Sequence, residues 1–258
     1  EQCAKVTLTS RAFRNDQLPM LAKELCELTG FERMLPMNSG TEAVETAIKA
    51  ARKWGYIHKN VADEQAEIIV ATNNFHGRTT TIVGFSTEDG YKKGFGPFTP
   101  GFVTAPYGDF EALKKRVTPN TVAVLIEPIQ GEGGIIIPPD GYLKQLRELC
   151  CNENILLILD EIQTGLGRAG KLFAYEYENI KPDGVIIGKA LSGGFYPVSA
   201  FLARAEVLDV FQPGQHGSTF GGNPLGAAVA REALQILQDE KLAERSFELG
   251  EYFQEKLR

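Results

Sequence analysis

Two short apolar runs, each followed by one ionisable residue, constrain this chain more than any other feature. Residues 155–159 (ILLIL) end at Asp160, and residues 185–187 (VII) lead through Gly188 to Lys189. Both runs are too short for free-standing helices and have turn residues nearby, and their β-branched residues suit buried strands of a parallel sheet. Open α/β sheets bind ligands at the carboxyl ends of their strands. Asp160 and Lys189 would therefore meet at one edge, an acid and an amine able to grip opposite ends of one small cofactor.

The remaining strand signals alternate with helical ones. Strands are expected at Arg33–Met37 and at residues 67–72, 122–127 and 198–203. Helices are expected after Pro19, after Thr41, over residues 142–151 and after Asn223 with Pro224 at the first position. No repeat or low-complexity linker interrupts the pattern, so residues 1–258 read as one α/β domain, a mostly parallel sheet flanked by helices. The chain opens without Met and closes on GEYFQEKLR inside an amphipathic pattern, which reads as part of a longer protein.

Composition excludes several functions. A net charge of −6 argues against a nucleic-acid or anionic-membrane surface. Cys3, Cys26, Cys150 and Cys151 lack C-x-x-C spacing and read as reduced, buried thiols of an intracellular protein. His58, His76 and His216 have no partner at metal-ligand spacing, so no metal is expected. No apolar run approaches membrane-spanning length.

Several turns carry chemistry. Asn38-Ser39-Gly40-Thr41 opens a helix, and N–H groups, hydroxyls and the positive dipole end together suit an anion, although an ordinary N-cap explains the turn as well. Phe75, His76 and Arg78 flank Gly77 after a strand, where an aromatic ring could stack on a planar ligand and a guanidinium could clamp a carboxylate. His76 is the weakest of these three, a lone histidine being more often structural. Glu132 sits in a glycine-flanked loop, as a functional carboxylate or as turn chemistry. Gly165-Leu166-Gly167-Arg168-Ala169-Gly170 matches G-x-G-x-x-G, but residues 160–164 separate it from the strand and a poor helix start follows, so a dinucleotide site is rejected. The segment 184–190 falls one residue short of a P-loop.

Six blocks occur here in one order: NSGTEA (38–43), NFHGRT (74–79), EPIQGEGG (127–134), LDEIQTGLGRAG (159–170), GKALSGG (188–194) and HGSTFGGNPL (216–225). Together they resemble the class III, fold-type I aminotransferases that use pyridoxal 5′-phosphate (PLP). TSRAFRNDQLP (9–19) and GFGPF tilt the resemblance towards the ornithine δ-aminotransferases, with acetylornithine aminotransferases sharing most blocks.

The resemblance implies a fold-type I large domain and a ping-pong transfer of the δ-amino group of L-ornithine to 2-oxoglutarate. In it, Lys189 bonds to the cofactor aldehyde and later moves the proton. Asp160 pairs with the pyridine nitrogen, which makes the ring an electron sink. Gln163 reaches the ring's phenolic oxygen and Phe75 stacks on its face, with His76 beside it. Ser39, Gly40 and Thr41 hold the phosphate, joined by Ser218 and Thr219 from a second subunit, so a homodimer shares the site. Arg78 holds a substrate carboxylate. Glu132 pairs in the family with an arginine of a C-terminal domain that, like the N-terminal segment, this chain lacks. The implied compartment is the cytoplasm, or the mitochondrial matrix behind a transit peptide. An aminomutase or decarboxylase on this fold, or an inactive PLP-binding or dimerising fragment, are the other readings.

Overall fold

A computed structural model describes residues 1–10 and 13–258. Arg11 and Ala12, inside the block at 9–19, lie outside the described residues. The strands are β1 (Arg33–Met37), β2 (Glu67–Ala71), β3 (Phe102–Ala105), β4 (Thr121–Ile126), β5 (Leu156–Asp160), β6 (Gly184–Ile187) and β7 (Ser199–Ala203). They form a single seven-stranded sheet in the order β1-β7-β6-β5-β4-β2-β3. The pairs β6–β5, β5–β4, β4–β2 and β2–β3 are parallel, whereas β7 runs antiparallel to both β1 and β6. The expected mostly parallel sheet is therefore present, with one reversed strand.

Alternate residues of the central strands feed two cores. Ile69, Val124, Ile126, Leu157, Leu159, Val185 and Ile187 face one side, which is covered by α1 (Gln17–Thr29), α3 (Tyr142–Asn152) and α4 (Pro224–Asp239). Ile68, Val70, Ala123, Leu125, Leu156, Ile158 and Ile186 face the other, covered chiefly by α2 (Gly40–His58). Burial on both faces explains why the central strands carry unbroken apolar runs with no polar alternation.

The helix ends follow from their sequences. Gly30 closes α1 with φ of 69°, a left-handed cap that favours glycine. Ser39 opens α2 with a full capping box, its hydroxyl accepting from the Glu42 N–H while the Glu42 carboxylate accepts the Ser39 N–H. Asn223 caps α4, accepting the Gly226 N–H at 2.7 Å, with Pro224 at the first position as the spacing predicts. The small residues Gly226, Ala227 and Ala230 of α4 are buried, which lets α4 lie close to α1. The final helix, α5 (Leu242–Leu257), packs on α4. No helix among the described residues is long and apolar enough to cross a membrane.

The cysteines are all unpaired, but only Cys150 is buried, and Cys3 and Cys151 are exposed. The uniform burial expected of them is corrected accordingly. Cys150 and Cys151 lie on different faces of α3, one inward and one outward.

Candidate active site

The sheet brings Asp160 and Lys189 to the same edge. Asp160 is the last residue of β5 and lies beside Ile186 of β6, three residues before Lys189. Ile126 of β4 lies beside Leu159 of β5, so Glu127 follows its strand at the level of Asp160. Around these strand ends lies a cleft of about 210 Å³, lined by Gly40, Thr41, Phe75, His76, Glu127, Glu132, Asp160, Gln163 and Lys189, among others.

Asp160 is held from two directions. Its Oδ2 receives a hydrogen bond from His76 Nδ1 at 2.7 Å, and its Oδ1 accepts the Ile162 N–H at 3.0 Å. Burial opposes a charge on His76, but the hydrogen bond to Asp160 and the fields of Asp160 and Glu127 outweigh it, and the imidazole is pushed above its ordinary value. Asp160 therefore faces the cleft as an oriented carboxylate backed by a basic imidazole.

Glu127 ties two loops together. Its Oε2 accepts the Phe75 N–H at 3.0 Å and its Oε1 the Gly131 N–H at 3.4 Å. Burial lifts this carboxyl to about 7, with Asp160 adding to the rise and His76 opposing it. Sequence reasoning did not single out Glu127. The available signal was its position, a carboxylate closing a buried strand as Asp160 does. Glu161, next in line, turns away, accepting from the Thr164 hydroxyl and the main-chain N–H groups of Ala174 and Tyr175.

Lys189 stands exposed at the start of a 3₁₀ turn, Lys189–Ser192, with φ of 37°. A side chain in the left-handed region costs on the order of 1–3 kcal/mol, and such strain concentrates at functional sites. Ser192 donates its hydroxyl to the Lys189 carbonyl at 2.7 Å, which fixes this turn.

The first turn of α2 forms the opposite wall. The Thr41 hydroxyl is buried there without a hydrogen-bond partner, as is His76 Nε2. Gly77 is required beside it, because a Cβ at that position would sit 2.1 Å from Thr41 Oγ1.

The other expected residues lie outside the cleft lining. Ser39 is occupied as the N-cap, its hydroxyl donating to Glu42 Oε2 at 2.9 Å. Arg78 places its guanidinium 4.7 Å from the Tyr91 ring centre and 5.8 Å from that of Phe75. Ser218 is in the 212–223 loop, where its Oγ accepts from Asn38 Nδ2 at 3.1 Å and from the Gly221 N–H at 2.9 Å. With both acceptor positions filled, its hydroxyl hydrogen remains to be donated. Thr219 is exposed next to it.

The Aminotransferase class-III family matches residues 1–258. The chain belongs to the class III aminotransferases. The ornithine aminotransferase of Brevibacillus brevis is 60% identical over all 258 residues, which span 65% of that relative's length. The ornithine aminotransferase of Toxoplasma gondii superposes with a TM-score of 0.98 at 50% identity, over 100% of this chain and 61% of that one. A second structure of that enzyme has PLP at partial occupancy in its active site. The acetylornithine aminotransferase of Elizabethkingia anophelis reaches 0.87 at 48% identity, over 99% of this chain and 61% of its own. The chain thus spans less than two thirds of the length of these relatives.

Class III aminotransferases are PLP-dependent, and the cleft residues fit that group. An orphaned buried hydroxyl at a helix N-terminus suits a phosphate, since first-turn N–H groups lack helical acceptors. A buried carboxylate suits a protonated pyridine nitrogen, and an accessible amine suits an aldehyde. Among the described residues, no cluster of His, Cys, Asp or Glu is arranged to hold a metal ion.

Proposed function

We propose that this chain carries the cofactor-binding core of an ornithine aminotransferase, moving the δ-amino group of L-ornithine to 2-oxoglutarate. The observation that carries the reading is the placement of Asp160 and Lys189 at adjoining strand ends of one cleft, with Thr41 opposite. The 60% identity to the Brevibacillus brevis ornithine aminotransferase favours ornithine as the donor. The likeness to an acetylornithine aminotransferase supports N-acetylornithine as the second reading.

PLP, when bound, supplies an electron sink that lets a proton leave the carbon bearing the amino group. The chain's own residues do the rest. Gly40 and Thr41 bind the phosphate, with Ser39 holding the helix start in place. Phe75 would lie against the ring, Gln163 would reach its phenolic oxygen, and Asp160, braced by His76, would keep its nitrogen protonated. Lys189 would hold the aldehyde carbon of the cofactor, and its Nζ would be the group that moves a proton between the reacting carbons. Arg78 would hold a substrate carboxylate, and Glu132, in the cleft lining, would pair with an arginine as in the resembled family. Ser218 and Thr219 donate to the phosphate of a second copy, making the working unit a homodimer. Four unpaired cysteines fit a reducing compartment such as the cytoplasm.

The decisive experiment adds PLP to the protein and follows the absorbance of the lysine-bound cofactor, then compares rates on ornithine and N-acetylornithine with 2-oxoglutarate as acceptor. Lys189→Ala should abolish both the absorbance and the turnover while the fold persists. A faster rate on N-acetylornithine would select the second reading, and an unchanged spectrum in Lys189→Ala would remove Lys189 from its role.

A further inference from the structure

The 212–223 loop crosses the surface with no charged residue of its own and almost no apolar anchor. His216 is central to its attachment to the body of the protein. His216 stacks on Phe211 with ring centres 5.0 Å apart and planes 16° from parallel. Its Nε2 lies 2.8 Å from Thr46 Oγ1, and its Nδ1 lies 3.0 Å from Lys49 Nζ, both residues on α2.

These neighbours fix the tautomer. The Thr46 hydroxyl gives its hydrogen to the Glu42 carbonyl at 2.8 Å, so towards His216 its oxygen can only accept. The hydrogen between them must belong to Nε2. The Lys49 ammonium can only donate, so Nδ1 must be bare. A neutral ring with Nε2–H satisfies both contacts. A protonated ring would point an N–H at the Lys49 ammonium, replacing a hydrogen bond with repulsion.

Neighbouring contacts strengthen the same attachment. Lys49 also donates to the Gln215 carbonyl at 3.1 Å, and Lys53 Nζ bonds Gln215 Oε1. Two residues after His216, Ser218 is bonded by Asn38, at the start of α2. The loop is therefore laced along the helix whose first turn forms the Thr41 wall of the cleft.

We propose that His216 is a pH-sensitive latch that fixes the 212–223 loop against α2 and so positions Ser218 and Thr219 for the phosphate of a second subunit. The proposal rests on the shared-site reading given above. His216 is a positioning residue, acting through the loop. Among the groups packed on it, Lys49 faces the ring, Lys53 is engaged by Gln215, and Glu42 reaches it only through its main-chain oxygen by way of Thr46. Phe211, Gln212 and Gln215 are uncharged. Burial, with the Lys49 charge adding to it, pushes the imidazole below its ordinary value, so the latch holds at neutral pH and opens on acidification.

The test uses two variants of the assembled protein. His216→Gln keeps an acceptor and a donor but cannot be protonated, whereas His216→Phe keeps the stacking and loses both bonds. Hydrogen exchange of the 215–219 amides, measured without cofactor, reads the latch itself. At acid pH these amides should exchange faster in the native protein than in His216→Gln at the same pH, and faster in His216→Phe at every pH. Affinity for PLP reads the consequence. His216→Phe should weaken it roughly tenfold, the scale of one or two lost hydrogen bonds. His216→Gln should remove the part of the acid-side loss of affinity that the native protein shows. Equal exchange in all three proteins overturns the latch. Altered exchange with unchanged PLP affinity overturns the positioning role, and Ser218→Ala combined with Thr219→Ala then tells where the fault lies. An affinity that the double variant also leaves unchanged faults the shared site itself.

Discussion

Asp160 is useful because its two oxygens are already committed to fixed donors before any ligand arrives. His76 contributes the buried one, at 2.7 Å, and the hydrogen bond together with the fields of Asp160 and Glu127 holds its imidazole above the ordinary value against the cost of burial. The sign of the linkage follows. A raised folded-state value means that the pair's stabilisation is fully present below the unfolded histidine value and fades as pH rises through the folded one. His76→Asn should therefore destabilise the protein more at about pH 6 than at about pH 9, as read by urea unfolding at both. An equal loss at both pH values would mean that His76 is neutral in the fold. Glu127 adds to the trend. Its carboxyl, lifted by burial to about 7, favours the folded state when protonated, and that contribution disappears as pH rises from the ordinary carboxylate range to about 7. Sequence reading ranked His76 low because its partner lies 84 positions away and no local spacing encodes the contact. Asp160 and Lys189 are legible because each stands at or just past the end of a buried apolar run.

At the scale of elements, α2 couples the cleft to the sheet, and it packs tightly on it at Gly55. A Cβ there would lie 2.1 Å from Val122 Cγ1 on β4. Alanine would gain about 1 kcal/mol of helix propensity. Overpacking against a buried strand costs typically about 1–3 kcal/mol. Since Val122 is fully buried and cannot swing away, the clash should win. Gly55→Ala should lower the unfolding midpoint in urea, while Gly250→Ala in α5, where nothing lies within 4 Å of the added carbon, should leave it unchanged or raise it. A stabilised Gly55→Ala would show that α2 can shift off the sheet. Most elements were legible: the strand at Arg33–Met37 and the cap and first turn of α4 have their expected bounds. What escaped were features set by distant partners. The pairing of β7 with β1, whose residues lie over 160 positions earlier, is one such feature. The edge strand β3, only partly buried, carries a weak apolar signal directly after a glycine- and proline-rich loop.

For the molecule as a whole, several large apolar side chains remain at the surface of the loops. Phe95 is 62% exposed, Ile135 72%, Ile137 70% and Phe195 77%. Exposed apolar side chains can mark contact surfaces, and Ser218, whose Oγ already accepts two hydrogen bonds, keeps a hydroxyl hydrogen to donate. If a second copy covers them and its Ser218 and Thr219 complete the phosphate site, cofactor binding and dimerisation are one linked equilibrium. Whatever PLP adds to dimer affinity, dimerisation must add equally to PLP affinity. Sedimentation at dilute concentration should then show more dimer with PLP than without it, and PLP affinity should fall as the protein is diluted. Ser218→Ala combined with Thr219→Ala should weaken both effects together, leaving a dimer whose stability responds little to the cofactor. Losing PLP affinity in that variant while the dimer still tightened fully on PLP addition would show that Ser218 and Thr219 serve the cofactor of their own subunit, and each site would then be complete within one subunit.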